Sequence, residues 1–114
     1  ESHVAWDPGA LAVASIIATT LDCPMVAASI SRLVYDCNRP PSAASAMPPV
    51  SEIFPIPGNQ NLSDDARSER VEQVYNPFHA AVGAVIENRV AAGASPAIVT
   101  IHSFTPTYHG AGRP

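Results

Sequence analysis

The stretch of sequence that decides the fold is SDDARSERVEQVYNPFHAAVGAVIENRVAAGASPAIVTIH, residues 63–102. Ser63 can cap the start of a helix with its hydroxyl group, and the two aspartates after it favour the positive end of the helix dipole. Apolar residues then recur at helical spacing as far as Ala92, and Gly93 supplies a C-terminal cap. Because a proline inside a helix removes a backbone donor, Pro77 is expected to kink this helix or split it in two.

Three short apolar runs predict β-strands. The β-branched run Ala97–Ile101 predicts a buried strand that ends at His102. Met25–Ile30 and Leu33–Cys37 are two further strand candidates, and the residues between them allow either a hairpin or one irregular strand. Before the long helix, Asn38–Leu62 carries repeated prolines, which exclude a helix or a central strand and predict a long loop.

An earlier helix is predicted over Gly9–Leu21. Asp7 and Pro8 form a typical helix start, with the aspartate as the N-cap and the proline at the first helical position. The residues that follow are apolar on every side, which is typical of a buried helix. The order of helix, strands, loop, long helix and strand indicates an α/β fold with an at least partly parallel sheet. Such a helix needs a larger sheet to cover it, so we expect the 114 residues to form a single partial domain.

The composition limits the classes of function. Hydrophobic residues make up 46% of the chain and charged residues 14%, with a net charge of −4. This composition argues against a disordered acidic tail and against nucleic acid as the main partner. No apolar run is long enough to span a bilayer and no leader segment is visible, so a cytoplasmic protein without a membrane partner is the default expectation. Exposed apolar surface on an incomplete domain would favour self-association.

Two groups of side chains are expected to have only structural roles. Cys23 and Cys37 are expected to be reduced, because two cysteines could form only one disulfide and nothing suggests secretion. The arginines of the long helix fit its solvated face; they are Arg67, Arg70 and Arg89.

The predicted strand ends bring polar residues to one edge of the sheet, which is where open α/β sheets bind their ligands. The residues at or beside this edge are His3, Asp7, Arg32, Asn38, Arg39, His102 and Ser103. Arg32 belongs there if the strand from Met25 is parallel, and Asn38 and Arg39 belong there if the loop folds back. Histidine and carboxylate are typical zinc ligands, and arginine offers a rigid fork for a substrate carboxylate. The set therefore suits a metal hydrolase, in which the metal lowers the pKa of a bound water to about 7.

Simpler interpretations stand beside these. Asp7 can be a plain helix cap, and His3 can be a surface residue near the chain end. His79, on the long helix, is more typical of a structural residue. No HExxH or paired CxxC motif fixes a metal site. A non-catalytic domain that binds carboxylates through Arg32 and Arg39 without a metal is therefore the alternative.

Four blocks of sequence are more specific than the general α/β pattern. They are HVAWDPGA at 3–10, SRLVYDCNRP at 31–40, PIPGN at 55–59 and IHSFTP at 101–106. In this order and spacing they resemble the N-formylglutamate amidohydrolase family. The resemblance implies a three-layer α/β sandwich, with a mostly parallel or mixed sheet flanked by helices, similar to zinc-dependent exopeptidases. It also implies a zinc-dependent hydrolase of the amide bond of an N-formyl or N-acyl amino acid, with formate and glutamate as the products of the type reaction.

The resemblance also implies roles for individual residues. It favours His102 as a metal ligand, and it makes His3 and Asp7 candidates for a second ligand or a polar neighbour. The substrate-binding candidates are Arg32, Arg39, Asn38 and Ser103. Members of the family are longer, so the chain corresponds to a central segment, and the general acid or base is expected outside it. A related zinc amidase acting on another acyl amino acid or a cell-wall peptide is a further interpretation.

Overall fold

A computed structural model of the protein describes residues 5–104 together with the backbone of 107–108 and 111–112. The helices are α1 (Ala10–Leu21), α2 (Asp64–Arg70) and α3 (Asn76–Ala91), and a wide π-helical turn, Val71–Tyr75, joins α2 to α3. The strands β1 (Val50–Ser51) and β2 (Phe54–Pro55) form one antiparallel pair, and β3 (Thr107–Tyr108) and β4 (Ala111–Gly112) form another. In the part of the chain that the structure describes, no helix is both long enough and apolar enough to cross a membrane.

The long helix begins and ends where the sequence predicts. The hydroxyl oxygen of Ser63 accepts a hydrogen bond from the backbone N–H of Ala66 at 3.2 Å, which caps α2. At the other end, Gly93 has a φ of 81° and donates its N–H to the carbonyl of Val90 at 2.9 Å. A positive φ suits glycine, which has no Cβ to clash. Both predicted caps are therefore confirmed.

The wide turn Val71–Tyr75 accommodates Pro77. Proline has no N–H to donate to the carbonyl of Gln73, four residues earlier. Just before it, the N–H of Asn76 donates to the carbonyl of Val71, five residues back, so this turn holds more residues than an α-helical turn. The prediction that Pro77 interrupts the helix is confirmed, and the interruption separates α2 from α3.

Helix α1 lies in the predicted region but begins differently. Gly9, with a φ of 80°, takes the N-cap position, and no side chain caps the helix. The prediction that Asp7 is the N-cap and Pro8 the first helical residue is therefore wrong. Glycine adopts the left-handed conformation readily, so the chain turns into the helix two residues after Asp7.

The runs predicted as strands form no strand within the described residues. Leu33–Cys37 folds into turns, in which the N–H of Val34 donates to the carbonyl of Ser31 at 2.9 Å and the Ser31 hydroxyl accepts a further backbone N–H. Such local bonds compete with a strand ladder. Met25–Ile30 and Ala97–Ile101 have no β-pairing with any described residue, and a strand needs a neighbour to bond with.

The described residues thus form a small α/β structure in which both strand pairs are antiparallel. The parallel pairing expected from the sequence is not found among them. Met25–Ile30 and Ala97–Ile101 were predicted to supply the parallel strands, and no described residue pairs with either run.

A small core forms under the proline-rich loop Asn38–Leu62. Tyr35, Ala46 and Met47 are fully buried. Partly buried residues pack against them; these are Cys37, Leu62, Val71, Val74 and Tyr75. The loop is irregular, as predicted, but it carries one strand pair and two short 3₁₀ turns, and it is attached to this core.

Much apolar surface lies outside this core. Leu11, Ile16 and Leu21 of α1 expose 56% to 67% of their surface, and Ile98 and Val99 expose 66% to 69%. No residue of α1 is buried in the described structure. The prediction of a buried first helix is therefore wrong for the described residues, because none of them forms a layer that covers it.

Candidate functional site

Two predicted site residues from opposite ends of the described chain lie together. Asp7 precedes α1, and His102 follows the run Ala97–Ile101, 95 positions later. The ring nitrogen Nδ1 of His102 lies 3.1 Å from the carboxylate oxygen Oδ2 of Asp7. The side chains are 41% and 23% exposed, respectively, so the pair is partly shielded and still reachable from solvent.

Backbone contacts hold the segment before α1 beside the turn at Ser31. The carbonyl of Ala5 accepts a hydrogen bond from the N–H of Arg32 at 3.2 Å and another from the Ser31 hydroxyl at 2.9 Å. The carbonyl of Asp7 accepts the first N–H of α1 at 3.1 Å. Because Gly9 caps the helix, the Asp7 carboxylate is available for contacts outside it.

Arg32 links Asp7 to Asp36. Its Nη1 lies 3.3 Å from Oδ1 of Asp7, and its Nη2 lies 2.8 Å from Oδ2 of Asp36. Asp7 therefore directs one oxygen to His102 and the other to Arg32. The guanidinium group has five N–H donors and its side chain is 45% exposed, so further donors remain for a ligand.

The other substrate-binding candidates lie around these contacts. The backbone N–H of Asn38 donates to Oδ1 of Asp36 at 3.0 Å, and the carbonyl of Arg39 accepts the Tyr35 hydroxyl at 3.4 Å. The side chains of Asn38 and Arg39 are exposed, and Ser103 is half-buried. The structure thus places Asn38 and Arg39 in the turn next to Asp36, and their predicted roles in substrate binding remain predictions.

Two of the three predicted metal ligands lie within the described residues. Among the described residues, no group of three histidine, cysteine, aspartate or glutamate side chains is placed to hold a metal ion. Asp7 and His102 form a pair, and His3 lies outside the described residues. Two ligand atoms about 2.1 Å from a tetrahedral zinc ion are about 3.4 Å apart. The observed 3.1 Å between Nδ1 and Oδ2 is a hydrogen-bonding distance, and it is also close to the separation of two zinc ligands.

A buried asparagine that the sequence patterns did not single out ties the proline-rich loop to segment 31–39. Asn59 is only 5% exposed, and its Nδ2 donates to the carbonyls of Leu33 and Pro48, both at 2.8 Å. The signal was its place in the PIPGN block, which predicts a tight turn at 57–59 and carries part of the family resemblance. Asn59 holds the backbone one residue after Arg32.

Arg70 reaches the same segment from α2. Its Nη1 donates to Oδ1 of Asn59 at 2.6 Å and to the carbonyl of Val34 at 2.9 Å, and its Nη2 donates to the carbonyl of Gly58 at 2.7 Å. The prediction that Arg70 belongs to a solvated helix face is wrong, because backbone carbonyls of two loops converge on it. Asn59 and Arg70 together fix the segment that carries the candidate site residues.

Two neutral groups pack behind this segment. Burial raises the pKa of the Cys37 thiol, and the neighbouring Asp36 carboxylate raises it further. Burial raises the pKa of the Tyr35 phenol, and the nearby Tyr75 hydroxyl raises it further. His79 lies against Tyr75, with ring centroids 4.2 Å apart, and its Nε2 lies 3.0 Å from the Cys37 carbonyl. These contacts join α3 to the segment, which agrees with the predicted structural role of His79.

A cavity of about 230 Å³ lies between the run 26–30 and the long helix. It is bounded by Cys37 and by mainly apolar side chains of the helix, including Val74 and Phe78. None of the predicted site residues lines this cavity. The candidate site is therefore the group around Asp7, and the apolar cavity is separate from it.

The family model for N-formylglutamate amidohydrolase matches residues 1–114, the whole chain. The crystal structure of a gene product from Agrobacterium tumefaciens is 53% identical and superposes with a TM-score of 0.96. That match covers 99% of this chain and 45% of the other, so the chain spans less than half the length of that protein. No curated protein matches the sequence significantly.

Proposed function

The chain belongs to the N-formylglutamate amidohydrolase family, and we propose that it carries part of the active site of a zinc-dependent amidohydrolase. The proposed reaction is hydrolysis of the amide bond of an N-formyl or N-acyl amino acid such as N-formylglutamate, which would give formate and glutamate. The observation that carries the proposal is the contact between Asp7 and His102, with Arg32 on the second oxygen of the carboxylate.

Asp7 and His102 would be two of the metal ligands. The distance between Nδ1 and Oδ2 and the chemistry of the two donors support this assignment. Arg32 engages Oδ1 of Asp7, which would leave Oδ2 to face the metal. His3 is the proposed third ligand. Zinc, when bound, would lower the pKa of a water to about 7 and polarise the amide carbonyl.

Arg32 and Arg39 would bind the carboxylates of the substrate. The Arg39 side chain is exposed, which supports a role in binding an external anion. Asn38 and Ser103 would donate hydrogen bonds beside them. We propose that the general acid or base is a residue other than those assigned here.

The complete protein is proposed to be a cytoplasmic, three-layer α/β sandwich with a mostly parallel or mixed sheet. Two features support a larger sheet: the exposed apolar residues of α1, and the runs Met25–Ile30 and Ala97–Ile101, which pair with no described residue. If this surface stayed uncovered, it would favour self-association.

The test is an assay on the full-length protein for zinc content and for formate release from N-formylglutamate. We expect one zinc per chain, loss of activity with a chelator, and a drop of at least about tenfold in zinc affinity for His102→Ala. His79→Ala is the matched control, since it removes a histidine from α3 and should keep full zinc content. Unchanged zinc affinity and turnover in His102→Ala would remove His102 from the site.

Two other outcomes would redirect the proposal. A metal-free protein that glutamate stabilises would favour the carboxylate-binding domain that uses Arg32 and Arg39. Zinc-dependent turnover of another acyl amino acid or of a cell-wall peptide, but not of N-formylglutamate, would indicate a related amidase.

A further inference from the structure

We propose that Asp36 is a positioning residue of this site. It fixes the guanidinium group of Arg32 and the turn at Asn38–Arg39, and it thereby orients the groups that face an anionic substrate. The inference rests on the proposed function, because the substrate-binding roles of Arg32 and Arg39 belong to it.

Asp36 makes the shorter and less exposed of the two contacts to Arg32. Its Oδ2 lies 2.8 Å from Nη2, whereas Asp7 lies 3.3 Å from Nη1. The Asp36 side chain is 13% exposed, compared with 23% for Asp7. A pair that is less exposed to water is screened less. Asp36 therefore sets the position of the guanidinium group more strongly than Asp7 does.

The backbone of Asp36 is itself anchored in the small core. Its N–H donates to the carbonyl of the fully buried Ala46 at 2.8 Å, and the preceding residue, Tyr35, is 1% exposed. On the other side, Oδ1 accepts the N–H of Asn38 at 3.0 Å, and the carbonyl accepts the N–H of Arg39 at 2.9 Å. Asp36 thus connects the core to both groups of candidate substrate-binding residues.

The direction in which KM changes when Asp36 loses its charge distinguishes a positioning role from a purely electrostatic one. A carboxylate close to an anionic substrate repels it, so removing the charge of Asp36 would, by Coulomb attraction to the remaining arginines, tighten binding. If Asp36 instead holds Arg32 in place, its removal lets the guanidinium group move and weakens binding. An increase in KM therefore cannot come from the loss of a negative charge alone.

The experiment is Asp36→Asn in the full-length zinc enzyme, with N-formylglutamate as substrate. Asparagine keeps an oxygen for the N–H of Asn38 but turns an NH₂ group toward the donor Nη2 of Arg32. We expect KM to rise about tenfold with unchanged zinc content, and Asp36→Glu to restore part of the loss. Glu87→Gln, which removes an exposed carboxylate from α3, is the control and should leave KM unchanged. An unchanged or lower KM in Asp36→Asn would overturn the inference.

A double-mutant cycle tests whether Asp36 acts through Arg32. In an Arg32→Met background, Asp36→Asn should change KM by less than about twofold, because the group that it positions has been removed. Effects that multiply would overturn the inference.

The same cycle measured as Tm without substrate separates the inference from the proposed function. Less than additive Tm losses for Asp36→Asn and Arg32→Met are expected, and additive losses would overturn the inference whatever the activity. A wild-type protein with no turnover and no zinc would contradict the proposed function instead.

Discussion

Replacing Asn59 with alanine should lower the free energy of unfolding by about 3 kcal/mol. The side chain is 5% exposed and makes three hydrogen bonds. Its Nδ2 donates to the carbonyls of Leu33 and Pro48, and its Oδ1 accepts from Arg70. Alanine would remove all three bonds at once and detach segment 31–39 from the proline-rich loop.

The magnitude follows from the kinds of bond that are lost. A neutral hydrogen bond contributes about 1 kcal/mol net, and a bond to a charged donor such as the Arg70 guanidinium contributes about 2 kcal/mol. Water that enters the vacated space recovers part of this by binding the two carbonyls and the guanidinium. A loss of about 3 kcal/mol is a large fraction of the 5–15 kcal/mol that is typical of a folded domain.

The assay is urea unfolding of the full-length protein, followed by far-UV circular dichroism, with the m-value expected to stay constant. Asn88→Ala, on the exposed surface of α3, is the matched control and should change the stability by less than about 0.5 kcal/mol. Asn59→Asp keeps the size of the side chain and adds an ion pair with Arg70, but it turns an oxygen toward two carbonyl oxygens. It should therefore be at least as unstable as Asn59→Ala. A loss below about 1 kcal/mol for Asn59→Ala, or wild-type stability for Asn59→Asp, would refute this reasoning.

The two cysteines are both free, as predicted, and should differ in reactivity. Cys23 is exposed, whereas Cys37 is half-buried and its thiol pKa is raised. A thiol reagent should therefore label Cys23 at least about tenfold faster than Cys37. Equal labelling rates in the folded protein would contradict this. Ser63→Ala should lower the stability by about 1 kcal/mol in urea titrations, because the cap of α2 is lost; an exposed Ser68→Ala in the same helix is the control, and equal losses for the two would count against the cap. Because the pKa values of Cys37 and Tyr35 are raised in the folded state, the folded protein keeps these two protons to a higher pH than the unfolded chain does. The two groups therefore contribute fully to the free energy of unfolding below their ordinary pKa values of 9.0 and 10.0, and this contribution should decline as the pH rises above those values. A free energy of unfolding that stays constant over this pH range would show that the two groups do not titrate differently on folding.

Local signals predicted the helices well. The hydroxyl of Ser63, the glycine at Gly93 and the missing N–H of Pro77 each act within a few residues, so the sequence alone locates the start, the end and the interruption of the long helix. The strand predictions are wrong for the described residues, because a ladder depends on a partner segment. Ala97–Ile101 has the composition of a strand, yet no described residue pairs with it.

The sequence selected the residues of the candidate site but did not predict how they are arranged. Asp7 and His102 were both selected, but the sequence left open whether Asp7 was a helix cap, and it is Gly9 that makes the carboxylate available. Arg70 was missed as a structural residue because its partners are carbonyls of loops that lie 12 and 36 positions away. Periodicity describes only one helix at a time and carries no information about such distant acceptors.

The wide turn Val71–Tyr75 determines the rotational phase between the two halves of the long helix. An α-helix advances about 100° with each residue, so the added width of the turn rotates α3 relative to α2. Arg70, before the turn, contacts the carbonyl of Gly58, and His79, after it, contacts the carbonyl of Cys37. If the same residues formed a regular α-helical turn, the rotational phase of α3 would change and His79 would move away from Cys37.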